Sequence, residues 1–257
     1  MKTVILAGGL GTRLREETEF KPKPMIPIGG KPILWHIMKT YAHFDHNNFI
    51  ICTGYRGEVI REYFKNFDSL NLDITVKIGR PNVIQMHGNL VEEGWNVTIS
   101  DTGAETMTGG RLYKIRDYVG SETFFCTYGD GVSNININNL LEFHKTHGRI
   151  ATITTVNPVS RFGSLDLNFD GSVDKFREKP QTEGWINAGF FVFEKKIFDY
   201  LSEDSILEGE PLYRLAEEGQ LTAYKHRDFW QPMDTYRETV LLNKMWQDNS
   251  APWKVWK

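Results

Sequence analysis

Apolar residues fall along this chain in two alternating rhythms. Short unbroken runs, as in Thr3–Ala7, NFIICTGY and TFFCTYGDG, have the length and composition of strands covered on both faces. Between them apolar positions recur at helical spacing. Ile33, Leu34, Ile37, Met38, Tyr41 and Ala42 would line one face of a helix opened by Lys31-Pro32, with the proline at an early position where its missing N–H costs nothing. EVIREYFKNF, GGRLYKIRDYV and INNLLEFHKTHG repeat the helical rhythm, the last stopped by Gly148, while LDITVKI, NVTISDTG and IATITTV are strand-like. Strands alternating with helices predict an α/β fold with a mostly parallel sheet sandwiched by helices.

Beyond about residue 155 the pattern changes. SLDLNFDGSVDKF alternates polar and apolar residues around an Asp170-Gly171 turn, which predicts a hairpin. WINAGFFVFE and LTAYKHRDFW predict strands, KKIFDYL and EPLYRLAEEG helices, and DTYRETVLLNKMWQDN a closing helix. No repeat or low-complexity linker interrupts the chain, so residues 1–257 are expected to form one unit with a smaller, more antiparallel C-terminal part.

Composition narrows the classes. A chain of 257 residues with 40% hydrophobic and 25% charged content is ordinary for a soluble globular protein. A formal net charge of −3 and the lack of any basic run argue against nucleic acid as a partner. No apolar stretch reaches the roughly 18 residues of a membrane span, and Met1-Lys2 leads straight into a strand without a signal-peptide pattern. Cys52 and Cys126 both lie in apolar runs and read as buried thiols of a reducing compartment, so a cytoplasmic protein is expected. None of the seven histidines has metal-ligand spacing. The tail APWKVWK is expected to expose Trp253 and Trp256 for docking on a neighbouring subunit.

The chemistry starts at LAGGLGTRL. Glycine-rich turns after a first strand hold phosphates, because only glycine lets backbone N–H groups come so close to an anion. A P-loop would need Gly-Lys-Ser/Thr, which is missing. A dinucleotide fingerprint would need a third glycine where Leu14 stands, and an acidic end to the second strand, which instead reads Cys52-Thr53-Gly54. A turn without a ligand would not need Arg13, Lys21 and Lys23 nearby.

What the loop does match is the L-A-G-G-x-G-T-R-L and K-P signature of sugar-phosphate nucleotidyltransferases, here Leu6 to Leu14 and Lys21-Pro22-Lys23-Pro24-Met25. Together with GGKPILWHIM, TGGRL, YGDGVS, FGSLDL, EKP, NAGFFVF and FWQPMDT, the chain more narrowly resembles the glucose-1-phosphate cytidylyltransferases over nearly its full length. The resemblance implies a Rossmann-like nucleotidyltransferase fold, residues 1–155 mainly binding nucleotide and 156–257 serving the sugar phosphate and oligomerisation. It implies CTP and glucose 1-phosphate as substrates, CDP-glucose and pyrophosphate as products, Mg2+ as cofactor, and a homo-oligomer, of which a hexamer is one form. A deoxysugar for surface lipopolysaccharide would be the product's fate. Two alternatives stay open: a sugar nucleotidyltransferase using UTP, dTTP, GTP or ATP, and a non-catalytic sugar-nucleotide sensor.

Such a reaction brings two polyanions together, so it needs positioning and charge neutralisation more than acid–base groups. The resemblance assigns Leu6, Ala7, Gly8, Gly9, Gly11 and Thr12 to the nucleotide, Arg13 to the leaving pyrophosphate, and Lys23, in preference to Lys21, to the α-phosphate. Asp130 and Asp234, both at predicted strand ends, are the expected metal carboxylates, although each could instead cap a turn or helix. Lys179 would neutralise the sugar phosphate, Glu178 and Asn187 would bond sugar hydroxyls, and Gly163 would admit the ring. A surface ion pair is the plainer account of Glu178 and Lys179. Arg111, which carries only donors, suits N3 and O2 of cytosine, and with Thr106 or Thr108 it is expected to read the base.

Overall fold

The computed structural model describes residues 1–79, 81, 83–90, 92, 94–159, 162–181 and 184–256; the side chains of Arg13, Arg15 and Glu16 lie outside the described residues. Strand β1 (Lys2–Leu6) runs into the glycine loop, a 3-10 turn (Thr12–Leu14), the single-turn helix α1 (Arg15–Thr18) and a second 3-10 turn (Lys23–Met25). A short ribbon, β2 (Pro27–Ile28) and β3 (Lys31–Pro32), leads to helix α2 (Ile33–His43), so Lys31-Pro32 precedes the helix rather than forming its first turn. Next come β4 (Asn48–Thr53), α3 (Gly57–Lys65), α4 (Phe67–Asn71), the hairpin β5 (Asp73–Lys77) and β6 (Val83–His87), and β7 (Asn96–Asp101). Then follow α5 (Thr108–Lys114), α6 (Arg116–Val119), β8 (Phe124–Tyr128), β9 (Gly131–Ser133), α7 (Ile137–His147) and β10 (Ala151–Val156). The last part holds β11 (Ser164–Leu167), β12 (Val173–Arg177), β13 (Ile186–Phe193), a 3-10 segment (Lys195–Tyr200), α8 (Glu210–Glu217), β14 (Leu221–Lys225), β15 (Trp230–Pro232) and α9 (Tyr236–Gln247).

Among the described residues, seven strands form one sheet in the order β14-β10-β13-β8-β1-β4-β7. β1 pairs parallel with β4 and β8, β4 with β7, and β10 with β14; β13 alone runs against its neighbours. The fold is therefore the expected α/β type, and β13 and β14 carry the C-terminal part into the same sheet. The predicted strand LTAYKHRDFW is two strands, because the chain leaves the sheet after Lys225 and returns as β15 beside β9. KKIFDYL is 3-10 rather than α-helical.

The unbroken apolar runs follow from this arrangement, since each strand serves two cores at once. Ile5, Phe49, Ile51 and Phe125 face a core with α2 and the C-terminal segment, while Val4, Leu6, Ile50, Cys52, Phe124 and Cys126 face a second one under α5 and α8. Both cysteines are fully buried and unpaired, and burial pushes the Cys52 thiol up to about 12. The hairpin expected around Asp170-Gly171 is β11–β12.

The tryptophans of the tail are not exposed. Trp253 is 0% and Trp256 8% accessible, because the chain after α9 folds back over α2 and uses its aromatic rings to finish the core. Trp253 stacks near Phe229 and Trp246, and Trp256 meets Trp35 edge-on. They surround His36, whose Nε2 lies 2.8 Å from the Ile28 carbonyl and whose Nδ1 lies 3.3 Å from the Trp253 indole nitrogen. Indole N–H can only donate, so Nδ1 accepts, Nε2–H donates to Ile28, and the ring is neutral. Burial lowers the pKa of His36 to about 4.

Between the ordinary histidine value near 6.5 and about 4, the unfolded chain takes up a proton that the native ring refuses. The contribution is complete above about 6.5 and falls by about 3 kcal/mol as the pH drops to 4. Denaturant titrations across this range should show wild-type stability dropping with acid and a shallower slope in His36→Gln; equal slopes would exclude His36 as a source.

Candidate active site

The site lies beyond the carboxyl ends of β1 and β8, where open α/β sheets bind ligands. Here a cavity of about 400 Å³ is walled by the glycine loop (Leu6, Ala7, Gly8, Gly9, Gly11, Thr12), by Lys23 and Pro24, by Thr106, Thr108 and Arg111, and by Tyr128, Asp130 and Asp234. The loop's glycines serve different purposes. Gly11 has φ +63°, the left-handed region, and packs on Thr18 and Lys23. Gly8 makes room for a side chain: a Cβ there would lie 2.1 Å from the Arg111 guanidinium. At Gly9 a Cβ would meet nothing within 4 Å, so its backbone lies bare. Arg13 belongs to the following 3-10 turn; its side chain lies outside the described residues.

Lys23, Asp130 and Asp234 come together from distant parts of the chain. The Lys23 ammonium lies 2.7 Å from Asp130 Oδ2 and 2.5 Å from Asp234 Oδ1. The backbone explains the convergence. Gly131 of β9 pairs with Pro232 of β15, and the Met233 N–H donates to the Asp130 carbonyl at 2.8 Å, which places the two aspartates side by side. The helix-cap alternative for Asp234 goes to its neighbour: Thr235 caps α9 in a capping box with Glu238, whose carboxylate also accepts from the Asp234 N–H at 2.7 Å. Burial by itself would lower the pKa of Lys23, but the charge of Asp130 and hydrogen bonds to both carboxylates outweigh it and the pKa rises. The ammonium is thus a fixed cation.

The metal expectation can be tested on this geometry. Two carboxylates already converge on one cation, the number magnesium prefers when phosphate oxygens and water complete its shell. Among the described residues no group of three or more His, Cys, Asp or Glu is placed to hold a metal. The protein's share is then this pair, which fits a metal that arrives with phosphate.

Arg111 is where expected but is engaged with the protein. It is 4% accessible, and its guanidinium donates to the carbonyls of Thr53 (2.9 Å), Gly103 (2.8 Å), Gly8 (2.9 Å) and Ala104 (3.3 Å) and to the Thr102 hydroxyl (2.6 Å). Burial lowers its pKa, though an arginine stays cationic. It clamps the ends of β1, β4 and β7 together. Thr53, Thr102 and Gly54, where a Cβ would also strike Arg111, carried no motif and escaped sequence reasoning. The Thr106 hydroxyl donates to the Thr102 carbonyl at 2.6 Å and that of Thr108 to Glu208 at 2.6 Å.

On the other side of Tyr128 a second cavity, about 240 Å³, is lined by Asp130, Asn187, Gly189, Trp230 and Asp234 among others. Asn187 therefore joins the site, as does Trp230, which sequence reasoning passed over. Glu178 and Lys179 lie at the end of the exposed β12, form an ion pair at 3.6 Å and line neither cavity. Gly163 is with them, packed against Phe176 and Glu178. Lys179 has φ +45°, a strained conformation for a side-chain-bearing residue that is commoner at functional sites.

Comparison with known proteins supplies the family. The sequence profile of the nucleotidyl transferase family matches residues 2–248. A glucose-1-phosphate cytidylyltransferase of Salmonella typhimurium is 51% identical over 260 residues, with 100% of each chain covered. A probable glucose-1-phosphate cytidylyltransferase of Bacillus subtilis is 46% identical over 258 residues, again covering 100% of both. In structure, a putative glucose-1-phosphate thymidylyltransferase from Bacillus anthracis superposes with a TM-score of 0.69 at 20% identity over 96% of each chain, a likeness of fold. The chain belongs to the nucleotidyl transferase family. Within that family its full-length likeness is to the glucose-1-phosphate cytidylyltransferases.

If Asp130 holds a metal–phosphate complex, Asp130→Asn should lower kcat about 100-fold or more at saturating substrates, the scale of lost electrostatic positioning. Near-normal turnover in this variant would remove Asp130 from the mechanism.

Proposed function

We propose that this protein transfers the cytidylyl group of CTP to α-D-glucose 1-phosphate, giving CDP-glucose and pyrophosphate. The observation that carries this reading is the Lys23 ammonium held between Asp130 and Asp234 beside the bare glycine loop. Full-length identity of 46–51% to glucose-1-phosphate cytidylyltransferases supports the choice of substrates.

An oxygen of the sugar phosphate forms a bond to the α-phosphorus of CTP as the bond to the bridging β-oxygen breaks and pyrophosphate leaves. Backbone N–H groups of the loop around Gly9 and Gly11 hold the triphosphate, and Arg13 of the same loop takes its β- and γ-phosphates. Lys23 stands where charge gathers on the α-phosphate. Asp130 and Asp234 would hold Mg2+, which, when bound, offsets phosphate charge; divalent metals are general among nucleotidyltransferases. Asn187 orients the hexose in the second cavity. Glu178, Lys179 and Gly163, beside the β11–β12 hairpin, are assigned to the sugar phosphate on the family resemblance alone, since they line neither cavity. Arg111 contributes to base choice by fixing the Gly8 carbonyl, which can accept from the cytosine amino group but not donate to it.

Pyrophosphate release should be measured with glucose 1-phosphate and each of the five common nucleoside triphosphates, with and without magnesium. Metal-dependent turnover with CTP alone is expected. Preference for another triphosphate would overturn the cytidylyl assignment, and no turnover with any sugar phosphate would overturn the enzyme reading.

A homo-oligomer and a cytoplasmic location belong to the same proposal. Buried thiols support the latter, and among the described residues no helix is long and apolar enough to cross a membrane. For the former, the surface proposed lies in the N-terminal half and not in residues 156–257, where the resemblance put oligomerisation: the β5–β6 pairing puts Ile74 opposite Met86 and Val76 opposite Ile84 on one face, all at least 41% exposed. An isolated two-stranded ribbon with a bare apolar face is marginal, and a second copy of the chain would cover it. Light scattering should find an assembly in the wild type, a hexamer being one form, and smaller species in Ile74→Lys/Ile84→Lys; a monomeric wild type would refute this.

A further inference from the structure

Tyr128, Asp130 and Asp234 line both cavities, and the tyrosine is held in part by a residue that lies outside them. Tyr128 ends β8 and lines each cavity. Its ring lies over Gly189, where a Cβ would approach within 2.4 Å. Its hydroxyl accepts from the Asn187 amide at 3.2 Å and donates to Glu208 Oε1. The other oxygen of Glu208 accepts from the Thr108 hydroxyl at 2.6 Å, and Thr108 accepts in turn from the Leu207 N–H at 2.9 Å. The Asn187 carbonyl oxygen is anchored by the Gly189 N–H at 2.7 Å. Hydrogen bonds therefore run without a gap from the first turn of α5, in the wall of the larger cavity, through Glu208 and Tyr128 to Asn187 in the smaller one.

Glu208 itself lines neither cavity. It sits half-buried in the segment before α8, and that segment is locked to α5: the Gly110 N–H donates to the Ser205 carbonyl at 2.9 Å, and a Cβ on Gly110 would lie 2.0 Å from the Glu203 carbonyl. A shift of α5 on one side must move Glu208, and with it the tyrosine on the other. The bonds to a carboxylate are of the stronger kind, so the link is stiff. Burial and the Glu208 carboxylate both push the Tyr128 hydroxyl's pKa up, which keeps it a donor.

We propose that Glu208 is a positioning residue that couples the two substrate subsites, so that nucleotide bound against Thr108 sets Tyr128 and Asn187 for the sugar phosphate. The proposal rests on the larger cavity taking the nucleotide and the smaller the sugar. Coupling of this kind is reciprocal: each ligand raises the other's affinity by the same factor.

The test is equilibrium binding by calorimetry with magnesium, using the non-reacting α,β-methylene analogue of CTP and glucose 1-phosphate, each alone and with the other saturating. In the wild type each ligand should tighten the other about tenfold. In Glu208→Ala the single-ligand affinities should change little while the coupling factor falls to near one. Glu208→Gln, which can still accept from one hydroxyl and donate to the other, should recover a good part of it. Thr108→Val and Tyr128→Phe should each lose coupling, and their combination should lose no more than either alone. If Glu208→Ala fails to fold, these two variants decide the matter. Full coupling in the variants, equal loss of both single-ligand affinities with coupling intact, or a wild type that binds both ligands independently would overturn the proposal. A wild type that binds neither ligand would instead overturn the subsite assignment beneath it.

Discussion

One ammonium between two carboxylates organises the working end of this molecule. Lys23 comes from the loop after β1, Asp130 from the end of β8 and Asp234 from the turn before α9, yet all three meet at hydrogen-bonding distance. Two partly buried carboxylates so close would repel each other without a cation between them. The rest of the local structure holds that balance. Pro22 and Pro24 stiffen the lysine's loop, the β9–β15 pair sets the spacing of the aspartates, and the Thr235–Glu238 capping box fixes the backbone from which Asp234 projects.

Fold stability and site geometry share the same atoms. Arg111 buries its charge by bonding the carbonyls of Gly8, Thr53 and Gly103, so a residue that lines the larger cavity is also the seam that joins the ends of three strands. Gly8 and Gly54 are small because this guanidinium lies against them. The loop that reads as a phosphate motif is thus partly a socket for an arginine about a hundred residues away. The single reversed strand, β13, has a comparable double duty. It joins the C-terminal segment to the sheet and brings Asn187 and Gly189 to the far side of Tyr128.

The aromatic tail teaches a similar lesson about termini. Trp253 and Trp256 look like surface residues because they sit beside charges near the chain end. In the fold, α2 presents a face that α9 does not finish covering, and the tail's rings, with large apolar area, complete it around a neutral His36.

Much of this was legible in the order of residues. Unbroken apolar runs separated by helical spacing determine a layered sheet, since a strand with no polar face must be buried on both sides. Gly11 in the glycine loop, Lys23 between prolines and Asp130 at a strand end could each be named, because backbone constraint and charge act locally. Partnership could not. That Lys23 answers both aspartates, that Arg111 is spent on carbonyls, that Glu178 and Lys179 stand off on a hairpin and that Glu208 reaches Tyr128 are matters of distance across the fold. Those distances depend on strand pairing and packing between segments far apart in the chain, which no local pattern encodes.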